Sequence, residues 1–268
     1  MSCKFCFAKF QNIPEQRKKE SISLVKILAN AGFEKINYVG GEPTLYPWLK
    51  SLLQEANNNG MTTTIVTNGS LINEHWFNQH SEYLDWIGFS IDSLLPEINL
   101  KLGRYLKNSK SPGFHDYLEL LDMAKEIGLK TKVNTVVNQL NKDENFHVLI
   151  SDVKPDKWKI FQVLIIEGEN DRAKSLTVSR EEFETFLVNH ISLTAYTTIY
   201  PEYNEDMIGS YLMIDPSGCF YDNSSGVYVR SEKILKVGVS NALKQIEVSR
   251  EKYDTRHDST RIKKLFSL

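Results

Sequence analysis

Cysteine is scarce in this chain: Cys3, Cys6 and Cys219 are the three thiols among 268 residues. Three cysteines cannot build the framework of paired bridges that holds small secreted domains together, and they suit a reducing compartment. The six histidines show no paired metal-binding spacing, so the four ligands of a closed zinc site are not on offer. No apolar run is long enough to span a bilayer, and no signal-peptide pattern is present. An excess of one charge is lacking as well: 32 lysines and arginines stand against 34 aspartates and glutamates, a net charge of -2. Such a balance gathers no nucleic acid from a distance, so an anionic ligand must be held by a local cluster of bases. Low-complexity linkers are missing too. With 41% hydrophobic residues, the expectation is one large α/β domain in the cytoplasm, without a membrane partner.

What is present alternates. Residues 35–39, 62–66, 86–90, 130–136 and 158–164 read as strands, and the segments between them read as helices. Gly32, Gly60 and Gly128 sit where three of those helices end, and Ser179 with Glu182 forms a capping box at the start of another. Repeated βα units imply a parallel sheet whose strand-end loops share one rim, the expected active site. The barrel reading covers residues 1–194. The stretch 195–268 reads as a C-terminal extension closing the site, with a hairpin of residues 211–214 and 219–221 about the turn Asp215-Pro216-Ser217-Gly218.

The rim residues are small and polar. Gly40-Gly41-Glu42-Pro43 follows the first strand, Thr67-Asn68-Gly69-Ser70 the second and Ser90-Ile91-Asp92-Ser93 the third. Paired glycines let a backbone approach a ligand, and Glu42 offers an anion to a cationic group. Lys132 and Asn134 share one strand face, and Lys159 shares another with Phe161. A lysine pointing into a barrel requires a compensating anion, which would make Lys132 and Lys159 a phosphate pocket. The same pattern admits lysines that point outward between helices.

Cys3 and Cys6 form a C-x2-C pair followed by the aromatic Phe7. The pair alone serves zinc knuckles and redox dithiols, but zinc lacks further ligands and no strand precedes Cys3 as in a thioredoxin-like dithiol. With Gly40-Gly41-Glu42-Pro43 downstream, the pair resembles the second and third ligands of C-x3-C-x2-C, a loop that holds three irons of a 4Fe–4S cluster. It carries the expectation of a further strand and a first cysteine upstream of Met1. Cys219 reads as a plain thiol.

Together these stretches resemble the viperin family of radical S-adenosylmethionine (SAM) nucleotide dehydratases. The resemblance rests on Cys3-Lys4-Phe5-Cys6-Phe7, on residues 36–43, on Thr67-Asn68-Gly69-Ser70, on Trp158-Lys159-Ile160-Phe161-Gln162, on residues 166–170 and on Ser210-Tyr211-Leu212. It implies a partial (β/α)6 radical SAM barrel, a 4Fe–4S cluster on Cys3 and Cys6, and SAM as cofactors. It further implies dehydration of CTP, UTP or GTP to a chain-terminating 3′-deoxy-3′,4′-didehydro nucleotide in antiviral defence. Gly40, Gly41, Glu42, Thr67, Asn68 and Ser90 would line the SAM site. Lys35, Arg104, Lys132, Asn134, Lys159 and Arg261 would bind the nucleotide, and Tyr211 would complete the radical reduction. The implied partners are a flavodoxin- or ferredoxin-type electron donor and no nucleic acid, with the chain a monomer. Val39 departs from the serine of the animal proteins, and residues 256–268 match poorly. Two other readings stand beside this one: a nucleotide-binding module with an incomplete cluster, and a radical SAM enzyme acting on another phosphorylated nucleoside.

Overall fold

The computed structural model describes residues 1–8, 13–106 and 110–266. Helix α1 (Lys18–Asn30) leads into β1 (Lys35–Tyr38), α2 (Leu49–Asn58), β2 (Thr62–Thr67), α3 (Glu74–His80) and β3 (Trp86–Ser90). Then come α4 (Pro96–Leu102), α5 (Phe114–Glu126), β4 (Lys130–Val137), α6 (His147–Val153), β5 (Lys157–Gln162), α7 (Arg180–Asn189) and β6 (Thr198–Glu202). The six strands form one parallel sheet in chain order, β1 to β6. This is the expected open (β/α)6 arrangement, and all five strands read from the sequence are in it.

Alternation decides which face is buried. In β4, Thr131, Val133, Thr135 and Val137 are buried, while Lys132, Asn134 and Val136 between them are only half-covered. The buried set joins Ile65, Ile87, Phe89, Trp158 and Ile160 of neighbouring strands and Leu53, Phe77, Leu121, Leu149 and Phe186 of the helices in one core. The helices therefore cover one face of the sheet. The other face is left for ligands. The capping box at α7 forms as expected, with Ser179 Oγ accepting from the Glu182 amide at 3.1 Å and the Ser179 amide donating to Glu182 at 2.8 Å.

β6 was not foreseen, and the sixth strand was expected upstream of the cysteines instead. Its Pro201 lacks an amide hydrogen and argues against a strand in sequence. In the structure β6 pairs with β5 alone, so Pro201 meets no requirement to donate on its far side.

Beyond α8 (Asn204–Met207), strands β7 (Met213–Ile214) and β8 (Cys219–Asp222) form the predicted antiparallel hairpin. Asp215 Oδ1 accepts from Ser217 N, Ser217 Oγ and Cys219 N at 2.9, 2.7 and 3.1 Å, which fixes the turn. Tyr211 precedes the strand instead of opening it. A third strand, β9 (Val229–Lys233), completes a small sheet. Helices α9 (Ile234–Val237), α10 (Val239–Leu243), α11 (Arg250–Arg256) and α12 (Arg261–Leu265) follow, and α11 and α12 pack on β6. No described helix is long and apolar enough to cross a membrane.

Candidate active site

The cysteine loop is docked on the ends of the βα units. Ser2 N donates to Gly103 O at 3.1 Å and Lys4 N to Leu102 O at 2.9 Å, at the C-terminus of α4. Asn170 Nδ2 donates to Phe5 O at 2.9 Å, Tyr228 Oη to Phe7 O at 3.2 Å, and the Phe5 ring enters the core. Gly103 adopts φ 84°, and a Cβ there would lie 2.4 Å from Ser2 O, so only glycine lets the loop approach. Cys3 and Cys6 sit on this loop, with Cys6 N donating to Cys3 O at 3.2 Å. Burial pushes the Cys3 thiol up, against the pull of nearby Arg104.

Arg104 was expected in the nucleotide pocket, and the structure employs it elsewhere. Its guanidinium is buried, pairs with Asp92 at 2.7 Å, donates to the Ser90 carbonyl and lies 3.7 Å from Cys3 Sγ. It forms a cationic floor under the cysteine loop. Arg261 is likewise committed, to Asp206 at 2.6 Å and Pro201 O at 3.4 Å, and pins α12 to β6.

At the ends of β1 and β2, Gly40 and Gly41 take φ of 83° and 37° and turn the chain into Glu42. Glu42 Oε1 accepts from Thr44 N at 3.2 Å, Thr44 Oγ1 at 2.7 Å and Thr67 Oγ1 at 2.6 Å, and Oε2 accepts from Asn68 N at 2.9 Å. One carboxylate thus brings together Glu42, Thr67 and Asn68, three of the residues expected around SAM. Glu42→Gln sets an amide donor against these donors. We expect it to cost about 1–3 kcal/mol in stability and to weaken SAM binding about tenfold, read by thermal unfolding and a SAM isotherm.

Lysines dominate the uncovered face. Register places Gly88, Lys132, Lys157 and Thr198 in one row and Ser90, Asn134, Lys159 and Tyr200 in the next. Around Trp86, at the start of β3, stand Lys35, Lys130 and Lys157, with Nζ 5.9, 5.4 and 4.6 Å from the ring centre. Among the described residues Lys35, Lys130, Lys132 and Lys157 make no ion pair. Burial, and then the charges of Lys159, Lys35 and Lys157, push the Lys132 amine down to about 7. Gly88 makes room for it: a Cβ there would meet Lys132 Cε at 2.7 Å. On the same face Asn134 Oδ1 and Thr64 Oγ1 are buried with no hydrogen-bond partner among the described residues. The lysines therefore point to the uncovered face and not between the helices. Lys130, Lys157 and Trp86 were missed in sequence, although each lysine lies two positions before one that was singled out.

Lys159 differs from its neighbours in having a partner. Its Nζ pairs with Glu202 at the end of β6, whose other oxygen accepts from the Tyr211 hydroxyl. Arg256 of α11 stands over the Tyr211 ring, 3.7 Å from its centre, with Nη1 3.8 Å from Glu202 Oε1. Burial alone would raise the Glu202 carboxyl, but Lys159 and Arg256 hold it below the usual range. Burial and the Glu202 charge raise Tyr211 well above an ordinary phenol.

The family model of the Radical SAM superfamily matches residues 1–153. A Flammeovirga pacifica protein named S-adenosylmethionine-dependent nucleotide dehydratase is 41% identical over 261 residues, covering 94% of this chain and 89% of that one. This chain belongs to that dehydratase family within the radical SAM superfamily. A Lacinutrix mariniflava protein of the same name is also 41% identical over 261 residues, and this chain spans about half of its length, 54%. The solved structure of native anSMEcpe with bound AdoMet superposes with a TM-score of 0.69 over 96% of this chain and 80% of that one, at 16% identity, a likeness of fold alone.

Radical SAM enzymes use a 4Fe–4S cluster and SAM, the two cofactors implied above. The residues present suit two corners of such a cluster: Cys3 and Cys6 share a docked loop over the Arg104 guanidinium. No third histidine, cysteine or carboxylate joins them among the described residues.

Proposed function

We propose that this radical SAM enzyme removes water from a nucleoside triphosphate in the cytoplasm, drawing electrons from a flavodoxin- or ferredoxin-type donor, and that it acts as a monomer. The observation that carries the substrate class is the lysine face: four lysines without an ion-pair partner among the described residues gather positive charge on one face, which a polyanion would compensate. Lys35, Lys132 and Lys157 would bind the phosphates, and the unpartnered Asn134 Oδ1 would accept from a ligand hydroxyl or amine. Cys3 and Cys6 would hold the cluster, and Gly40, Gly41, Glu42, Thr67, Asn68 and Ser90 would line the SAM site. When bound, cluster and SAM supply the radical that takes the ribose 4′ hydrogen, which is the hard part of the chemistry. The chain's own contribution is to hold the sugar still, keep water out and present the Tyr211 phenol to the closing reduction.

The test is direct. Protein reconstituted anaerobically with iron and sulfide receives SAM, dithionite and each of the four ribonucleoside triphosphates in turn, and products are weighed by mass spectrometry. The expected result is a nucleotide lighter by one water from CTP, UTP or GTP. Deoxyadenosine release without such a product from any of the four would overturn the reading in favour of another phosphorylated nucleoside. Nucleotide binding with neither product would favour a binding module.

A further inference from the structure

Lys159 belongs to two groups at once. Its charge depresses Lys35, Lys132 and Lys157 on the uncovered face, yet its ammonium is bonded to Glu202. Glu202 in turn takes the Tyr211 hydroxyl. The carboxylate is fully buried and is shared by two close donors, with Arg256 a looser third. We infer that Glu202 is a positioning residue that couples occupancy of the phosphate site to the Tyr211 hydroxyl, Lys159 being the movable link. The inference rests in part on the proposed nucleotide site.

The physics is a competition for one cation. A phosphate among the lysines offers Lys159 two or three further charged oxygens, a stronger acceptor set than a single carboxylate. Drawn toward it, Lys159 loosens from Glu202, which remains buried and charged beside Arg256. A carboxylate that loses one close donor leans more heavily on those that remain, and Tyr211 is the closest. The phenol would then be held more tightly when substrate is bound. Arg256 fixes the ring from the other side, its Nη2 donating to Ser210 O at 3.2 Å.

The readout is the tyrosine ring doublet in ultraviolet resonance Raman spectra, which reports the hydrogen bonding of the phenol; subtracting spectra of Tyr211→Phe isolates Tyr211. Inorganic tripolyphosphate should move the Tyr211 signal further toward a strong donor. Lys159→Met should do the same with no anion added, and should leave the signal insensitive to tripolyphosphate. Glu202→Gln should remove the response while binding tripolyphosphate about tenfold more tightly, since the competing charge is gone. A Tyr211 signal identical in wild type and Lys159→Met overturns the inference whether or not any anion binds. Failure of tripolyphosphate to bind, with the Lys159→Met shift intact, would instead count against the nucleotide site and leave the Glu202 link standing.

Discussion

If the lysine face is the nucleotide site, Lys132→Met will bind nucleoside triphosphate about a hundredfold more weakly while binding SAM as before, because it deletes an amine that would be protonated against the phosphates. Isothermal calorimetry with both ligands decides this. Unchanged nucleotide affinity would mean that the lysine face is not the site. The pH dependence sharpens the expectation. With the free amine titrating at about 7, an anion that binds only the protonated form raises that value. Affinity should therefore be level below pH 7 and fall as pH rises above it, with proton uptake visible as a buffer-dependent binding enthalpy. Stability of the free protein has the opposite trend. An unfolded lysine keeps its proton to about pH 10.4, so between 7 and that value the unfolded state binds more protons than the folded one. Unfolding free energy then rises with pH by up to ~5 kcal/mol. In Lys132→Met that rise should shrink to the smaller part contributed by Lys35, Lys157 and Lys159, which burial also pushes down.

Asp92→Asn will cost about 3–5 kcal/mol of stability, since it strands a buried guanidinium without its anion. The measurement is a denaturant midpoint that moves with an unchanged slope. Arg104→Met added to Asp92→Asn should recover much of the loss, as expected for partners that act as a unit. A loss below about 1 kcal/mol for Asp92→Asn, the range of a surface pair, would show that water reaches the pair. Cluster retention should fall with stability in the single variant, because Arg104 lies directly beneath Cys3.

The sequence made β1 to β5 legible as short β-rich runs between helical segments, and β1 to β3 end in small polar turns. Lys132 and Asn134 could be placed on one face from spacing alone. Lys157 escaped because the strand seemed to begin one residue later, at Trp158. Glu202 escaped for a different reason: it follows Pro201, and a proline masks a strand unless one knows that the strand is at an edge. Arg104 shows the limit most clearly. The family resemblance alone put it in the pocket, its partner Asp92 lies at the far side of α4, and pairing across a helix has no signature in a linear pattern. Arg256 and its stacking on Tyr211 join segments 45 residues apart with no intervening regularity.

The docking of the cysteine loop bears on how the enzyme is assembled and repaired. Four hydrogen bonds to the rest of the chain and the Phe5 side chain dock the loop, and none of these uses a Cys3 or Cys6 side chain, which leaves, among the described residues, only the Arg104 hydrogen bond at 3.7 Å on Cys3 Sγ. The ordering of the loop is thus part of folding, so iron and sulfide meet a rigid receptor and not a floppy peptide. Loss of a cluster to oxygen would leave these contacts in place. Reloading would then depend on the supply of iron and sulfide and not on refolding of the loop.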